Sequence, residues 1–323
     1  MGDRMEDNVI ETWNLSKQYN GTGGCKEITL QVPRGSVFGF LGQNGAGKST
    51  FVRTMLGLLH PTGGKATMLG HNIGTVESRK KVGYLPELFR YPDWLTGRQL
   101  LEHHAEICGL SRSERKKVIR DVLELVGMAG REQERIRGYS KGMQQRIGLA
   151  CALLSDPELI FLDEPTSALD PIGRKEVREL IASLRDQGKT IFLNSHLLSE
   201  METVCDFVGI IHRSELVVQG EWRKLSTVRP QLEITLEVPA GRTLAWPSFL
   251  SDFRLVRKQD SREVWLAELD REESVPALLE ALIAGGIAVY EVTRKQQSLE
   301  EVFLYWIKRK EEEAHVAAHQ NHL

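Results

Sequence analysis

The stretch "GQNGAGKST", residues 42–50, fits the spacing G-x-x-x-x-G-K-[ST] through Gly42, Gly47, Lys48 and Ser49. Each position has a physical reason. Glycines let successive backbone N–H groups turn inward around phosphate oxygens. A lysine brings positive charge to terminal phosphates, and the adjacent hydroxyl is a ligand for Mg²⁺. The setting agrees with this reading. The strand-like run "SVFGFLG" (36–42) precedes the loop, and the helical pattern "KSTFVRTMLGLL" follows it, so that a helix N-terminus adds its dipole to the anion site. A second "GKT" at 188–190 is a useful control. It has Ser183 where the first glycine belongs and precedes its strand, so it reads as a helix-capping glycine and a strand start.

Further short apolar runs recur along the chain: "KVGYLP" (81–86), "LIFLDEP" (159–165), "TIFLNS" (190–195) and "FVGIIH" (207–212). Helical patterns lie between several of them, among them "LLEHHAEICGL", "ERKKVIRDVLELV" and "GRKEVRELIASLRDQ". Continuous apolar strands are covered on both faces, and their alternation with helices predicts an α/β core with a largely parallel sheet. Residues 96–138 are mostly helical in pattern, with Thr96 as one cap and Ser111 with Glu114 as a capping box. They form a helical insert taken to about residue 155. After residue 222 the pattern changes to "QLEITLEV", "FRLVRKQ" and "REVWLAEL" as strands, the last two joined through Asp260 and Ser261, followed by "ESVPALLEALIAG" as a helix and "IAVYEVT" as a strand. The helix "SLEEVFLYWI" closes this small α+β domain, with Ser298 and Glu301 as its capping box. The expected division is 1–222, 223–310 and a charged, disordered tail 311–323.

"LIFLDEP" puts Asp163 and Glu164 at the C-terminal end of a buried strand, the edge where open α/β sheets bind ligands. Beside a phosphate loop, one carboxylate there suits Mg²⁺ and its neighbour suits an attacking water. "TIFLNSH" repeats the geometry with His196, whose imidazole can reach a γ-phosphate or position water. "YSKGMQQR" (139–146) reads as a polar turn entering the apolar helix "IGLACALL".

Bulk properties narrow the field. The 323 residues carry 41% hydrophobic and 27% charged side chains, and the formal net charge of −2 gives no overall basic field for nucleic acid. Four cysteines without CxxC spacing suggest neither a zinc site nor a disulfide framework, and they suit a reducing compartment. No signal peptide is visible, and no apolar run reaches 18 residues, so the sequence predicts no membrane span of its own.

Taken in order over residues 8–222, these motifs resemble the nucleotide-binding subunit of ATP-binding cassette (ABC) transporters, closest to the exporter-type branch. "GQNGAGKST" matches the family's Walker A motif, "YSKGMQQR" its signature (usually LSGGQ-x-QR), "LIFLDEP" Walker B, "SALD" (167–170) the D-loop, and His196 the switch histidine. The resemblance implies ATP and Mg²⁺ as cofactors. Gly42, Gln43, Asn44, Gly45, Ala46, Gly47, Lys48, Ser49 and Thr50 would hold the phosphates. Ser49 and Asp163 would serve Mg²⁺, Glu164 would polarise the hydrolytic water, and His196 would contact the γ-phosphate. Ser140, Lys141, Gly142, Met143 and Gln144 would meet the ATP of a second cassette, to which Asp170 couples. Tyr19 stands where the family stacks an aromatic on adenine. Glu87 stands where the Q-loop usually carries Gln, and it can approach ATP and Mg²⁺ directly or through water. The signature departs from the usual pattern at Tyr139, Lys141 and Met143.

The implied function is ATP hydrolysis powering an export system. The implied partners are a second cassette and a separate integral membrane permease, with no nucleic acid, and the implied location is cytoplasmic, peripheral on the inner face of the membrane. Phe89, Tyr91 and Trp94 in "ELFRYPDWLTG" (87–97) are the expected docking surface, although such aromatics also pack beneath an insert. The competing reading is a soluble ABC ATPase acting on nucleic acid or ribosomes. It calls for tandem cassettes, long coiled coils or basic extensions, and the sequence carries none. A GTPase is disfavoured by the missing N-K-x-D motif.

Overall fold

The computed structural model describes residues 7–19, 22–167, 169–225, 231–239, 246–247, 250–269, 271–295 and 297–320. The chain divides into one unit of Met1–Leu225 with Leu299–Leu323 and a second of Ser226–Ser298.

The larger unit begins with β1 (Asn8–Tyr19) and β2 (Thr22–Pro33), which pair antiparallel and join β4 (Gly63–Met68) and β5 (His71–Asn72) in the order β2-β1-β4-β5. Sequence patterning did not pick out this sheet. Its strands shift register repeatedly, and Asn14 and Glu27 adopt positive φ, so the two-residue alternation that marks a half-buried strand is broken.

The second sheet was legible. β3 (Val37–Leu41), β6 (Val82–Leu85), β7 (Leu159–Asp163), β8 (Thr190–Asn194) and β9 (Phe207–His212) run parallel, with β10 (Glu215–Glu221) antiparallel at one edge, in the order β10-β9-β3-β8-β7-β6. Every residue of β3, β7 and β8 is buried, as continuous apolar runs demand. Beneath β3, β7 and β8 lie Phe38, Phe40, Phe161 and Phe192. Phe51 of helix α1 (Lys48–Met55) stacks among them, 4.9 Å from Phe40 and 5.9 Å from Phe192 between ring centroids, and this seats α1 on the sheet.

The helical insert contains α2 (Gly97–Ile107), α3 (Arg112–Leu125) and α4 (Lys141–Leu153). Complete capping boxes open α2 (Thr96 with Gln99) and α3 (Ser111 with Glu114). Helix α4 is apolar on most sides and is buried from Ile147 to Leu153. Arg146 joins the insert to α5 (Pro171–Asp186): its guanidinium donates 3.1 Å to the Val126 carbonyl and pairs with Glu176. Helices α6 (Leu198–Val204) and α7 (Trp222–Leu225) complete this part.

In the smaller unit, β11 (Gln231–Glu237), β12 (Leu250–Gln259), β13 (Arg262–Leu269) and β14 (Ala288–Lys295) form an antiparallel sheet ordered β12-β13-β11-β14. Asp260, at positive φ, turns β12 into β13. Leu278 and Leu282 of α8 (Val275–Ala284) pack on Leu232, Ile234 and Leu236.

Two expectations are corrected by the last helix, α9 (Leu299–Gln320). It belongs with the larger unit, not with the α+β domain, and it continues helically through residues 311–320, where a disordered tail was expected. The reason lies in its spacing. Leu299, Phe303 and Ile307 recur every four residues and are buried in the core cluster of the parallel sheet and its helices. The Leu299 N–H also donates to Glu202 at 2.9 Å, and the Trp306 indole donates to the Leu225 carbonyl at 3.2 Å.

Candidate active site

The parallel strands end at one edge, and their C-terminal residues build a cleft of about 400 Å³. Gly24, Asn44, Gly45, Gly47, Lys48, Ser49, Thr50, Glu87, Asp163, Glu164, Asn194 and His196 line it. Five separate stretches of sequence thus converge on one volume. Gln43 closes the loop beneath it, its carbonyl accepting from the Ala46 N–H at 3.1 Å. Gly47, at φ 106°, caps α1 without a side-chain bond, and no acidic residue stands in the first turn. The free N–H groups and the dipole therefore face the cleft as an anion site. A Cβ on Gly47 would lie 1.9 Å from the Gly24 carbonyl oxygen, so the residue is obligatory for a reason invisible in the motif: β2 passes directly over the loop.

Lys48 folds back on its own loop, donating 2.6 Å to the Gly42 carbonyl and 3.2 Å to that of Gln43. Burial pulls its ammonium below the usual lysine range, while Glu164, Asp163 and Glu87 oppose that shift. Asp163 shows the converse. Burial is the largest cause lifting its carboxyl to about 6, with Glu87 and Glu164 adding to the effect and the Asn194 amide, donating at 2.6 Å, opposing it. The Asn194 Oδ1 is buried without a partner among the described residues.

The sign of this shift sets a stability test. A carboxyl raised from the ordinary aspartate value of 3.8 to about 6 favours the protonated fold. That stabilisation is fully present below about pH 4 and is lost as pH rises through about 6. Asp163→Asn keeps an acceptor for Asn194 and removes the buried charge. It is expected to raise the melting temperature of the ligand-free protein at pH 8 by about 2–4 °C, the equivalent of about 1 kcal/mol, with the gain fading towards pH 4. Scanning calorimetry across that range checks it, and a constant difference at all pH values would contradict the assignment.

Glu164 is 8% exposed and sits at φ 53°, a conformation costly for a non-glycine residue. Two donors fix its carboxylate, the His196 N–H at 3.0 Å and the Ser195 hydroxyl at 3.3 Å, and His196 Nδ1 lies 2.9 Å from it. Its own N–H donates to the Asn194 carbonyl at 2.8 Å, which extends the β7–β8 pairing past the strand ends. Gly24, Asn194 and Ser195 were not singled out in the sequence. Asn194 becomes visible only once Asp163 and Asn194 are known to be paired across adjacent strands.

Other expected residues lie elsewhere. Tyr19 is 47% exposed on β1, with the Lys17 ammonium 5.5 Å from its ring, and the cleft lining does not include it. Ser140 N-caps α4, accepting from the Met143 N–H at 3.2 Å, with Lys141, Gly142 and Gln144 in the first turn, and none of these residues lines the cleft. The Tyr139 hydroxyl donates to the Arg131 carbonyl at 2.9 Å, which ties the turn to the insert. Asp170 is the N-cap of α5, accepting from the Gly173 N–H at 2.8 Å, and Ala168 lies outside the described residues. Of the expected docking aromatics, Phe89 and Tyr91 stack 5.1 Å apart against the core cluster, while Trp94 is 68% exposed.

A glycine-rich loop between a buried parallel strand and a helix, faced by carboxylates from the neighbouring strands, defines a P-loop nucleotide-hydrolysing domain. The ABC transporter family model matches residues 25–167. An uncharacterised ABC transporter ATP-binding protein of Synechocystis is 37% identical over 95% of this chain and 86% of its own length. The bacitracin transport ATP-binding protein BcrA of Bacillus licheniformis is 35% identical over 92% of this chain and 95% of its own. Among solved structures, an ATP binding subunit of an ABC transporter superposes with a TM-score of 0.63 at 29% identity, covering 68% of this chain and 92% of that one. The chain belongs to the ATP-binding subunits of ABC transporters. It is an ATPase that serves a transport system, and nothing in these likenesses favours the nucleic-acid alternative.

Proposed function

We propose that this chain powers an exporter as one of two cassettes on the inner face of a membrane, coupled to a separate permease subunit. No helix among the described residues is long and apolar enough to cross a membrane, and in this reading the partner supplies the passage. The exposed Trp94, close in sequence to the half-buried Phe89 and Tyr91, offers that partner an apolar contact at the root of the insert. The exporter assignment rests on the resemblance of the ordered motifs to the exporter-type branch and on the likeness to a bacitracin transport protein.

The observation that carries the dimer is the N-terminus of α4. It is a helix start with a serine cap and no acidic residue in its first turn, yet it faces no phosphate loop of its own chain. The Ser140 hydroxyl accepts from Met143, which leaves its own proton free to donate outward. A γ-phosphate held by a second cassette is the complementary anion. In the same reading, Asp170 couples the two halves and Tyr19 stacks on adenine.

The chain's own groups divide the remaining work. Lys48 leaves the carbonyls of Gly42 and Gln43 for the terminal phosphates, and the free N–H groups of the loop and the start of α1 turn towards them. Ser49, Asp163 and Glu87 present hard oxygen donors, and the raised Asp163 carboxyl with the unpartnered Asn194 Oδ1 marks a spot where a cation would relieve buried charge. These residues fit Mg²⁺, which when bound would neutralise charge developing on the phosphates. Glu164, held by Ser195 and His196, orients the attacking water. His196 turns Nδ1 to Glu164, leaving Nε2 for the γ-phosphate.

The test is a mixing experiment. Ser140→Arg is expected to stay folded and to lose most ATPase activity. Mixed with a Lys48→Ala chain, which lacks its own phosphate lysine but keeps an intact Ser140, it should regain activity from one composite site per pair. Full activity of Ser140→Arg alone would eliminate the dimer mechanism.

A further inference from the structure

Helix α9 reaches the back of the phosphate loop through a single turn. Strands β9 and β10 are joined by Arg213 and Ser214, both at positive φ (45° and 73°). Such a two-residue connection normally uses Asn and Gly, and non-glycine residues persist there only where surroundings hold them. The holding contacts point in two directions. Towards the site, the Ser214 N–H donates to the Ala46 carbonyl at 3.2 Å, inside the phosphate loop, and the Ser214 carbonyl accepts from the Lys26 N–H at 2.7 Å. Just before the turn, the Ile211 carbonyl abuts Gly42 so closely that a Cβ there would lie 2.6 Å away. Towards the C-terminus, one carboxylate grips the turn from α9. Glu311 Oε1 lies 3.3 Å from the Arg213 guanidinium and 3.5 Å from Nε2 of the buried His212. One residue earlier on α9, Lys310 shares Glu215 with Lys26, at 3.6 and 3.1 Å.

We propose that Glu311 is a positioning residue for ATP binding: it clamps the Arg213–Ser214 turn in its strained form, and the turn fixes the Ala46 peptide of the phosphate loop. The buried His212 distinguishes this carboxylate from the solvated charges around it, because His212 Nε2 has no hydrogen-bonding partner among the described residues and Glu311 is the carboxylate nearest to it. Among the described residues, its neighbours Glu312 and Glu313 pair within the helix, with Lys308 and Arg309. Loosening the clamp lets the turn relax and makes the phosphate loop less preorganised before nucleotide arrives. Affinity should therefore suffer while turnover of the bound complex does not.

The experiment uses the full chain. ATP titrations of Glu311→Gln at low ionic strength are expected to show a Kd about 3–10-fold weaker, within the range of one partly solvated ion pair and its neighbours. The kcat at saturating ATP should stay within twofold, and exchange of the Ser214 amide with solvent should quicken. Glu311→Asp should fall between, and Glu312→Gln should match the parent. An unchanged Kd in Glu311→Gln overturns the proposal. So does an equal loss in Glu312→Gln, or a parallel fall in kcat and melting temperature that marks Glu311 as merely structural.

Discussion

Glu164→Gln is expected to bind ATP within about twofold of the parent and to hydrolyse it on the order of 10²-fold or more slowly, the scale of a lost general base. The substitution isolates charge from shape. The side-chain oxygen of Gln can still accept from the His196 backbone, and the Ser195 hydroxyl, a donor to Glu164, can turn to accept from the new amide nitrogen. The strained φ of 53° is no worse for Gln than for Glu. What disappears is the negative charge that polarises water. Equilibrium ATP binding and steady-state phosphate release, measured on the same preparation, check it. Hydrolysis at the parent rate would remove Glu164 from the mechanism.

Gly47→Ala should abolish tight nucleotide binding, weakening ATP by at least about 10²-fold, or about 2.7 kcal/mol. Two costs combine. A side chain at φ 106° leaves the region open to L-residues, and its Cβ would sit 1.9 Å from the Gly24 carbonyl oxygen. Backbone has to give, and on one side it is pinned: Ala46 is bonded to Gln43 and to Ser214. The loop must therefore open where phosphates would lie. Gly45→Ala provides the comparison. It too has positive φ, at 80°, but its Cβ would meet open space, so the loss should stay within about tenfold, the strain of one residue. Calorimetric titration of both variants, with circular dichroism to confirm the fold, separates crowding from conformational strain. Equal losses in the two would show that the contact with Gly24 is unimportant.

Much of this site could be read from residues alone because its chemistry is local. The loop 42–50, Asp163 with Glu164, and His196 each follow or end a fully buried strand, and continuous apolar runs are hard to mistake. Less local facts escaped. Gly24 enters the site only because the irregular β2 folds over the loop, and irregular strands erase their own period. Asn194 and Ser195 gain meaning from the register that sets Asp163 opposite Asn194. Helix α9 was grouped with its neighbours in sequence, whereas its four-residue apolar spacing docks it on the larger unit. Ser140 and Tyr19 have sequence contexts that point to nucleotide, but their expected contacts involve an ATP molecule or a second chain.

The joint between the insert and α5 has a thermodynamic consequence. Gly142 packs so near Leu169 that an added Cβ would lie 3.2 Å from its Cδ2, and one turn along, Arg146 bonds both Val126 and Glu176. The anion-seeking start of α4 and the capped start of α5 are thus faces of one wedge, and on the chain leading to it the Ser167 hydroxyl donates to the Glu164 carbonyl at 3.1 Å. A partner that favours one arrangement of that wedge would also act on the catalytic edge. By linkage, nucleotide at the edge would then alter that partner's affinity by the same factor. Assembly and nucleotide occupancy would then be two readings of a single equilibrium.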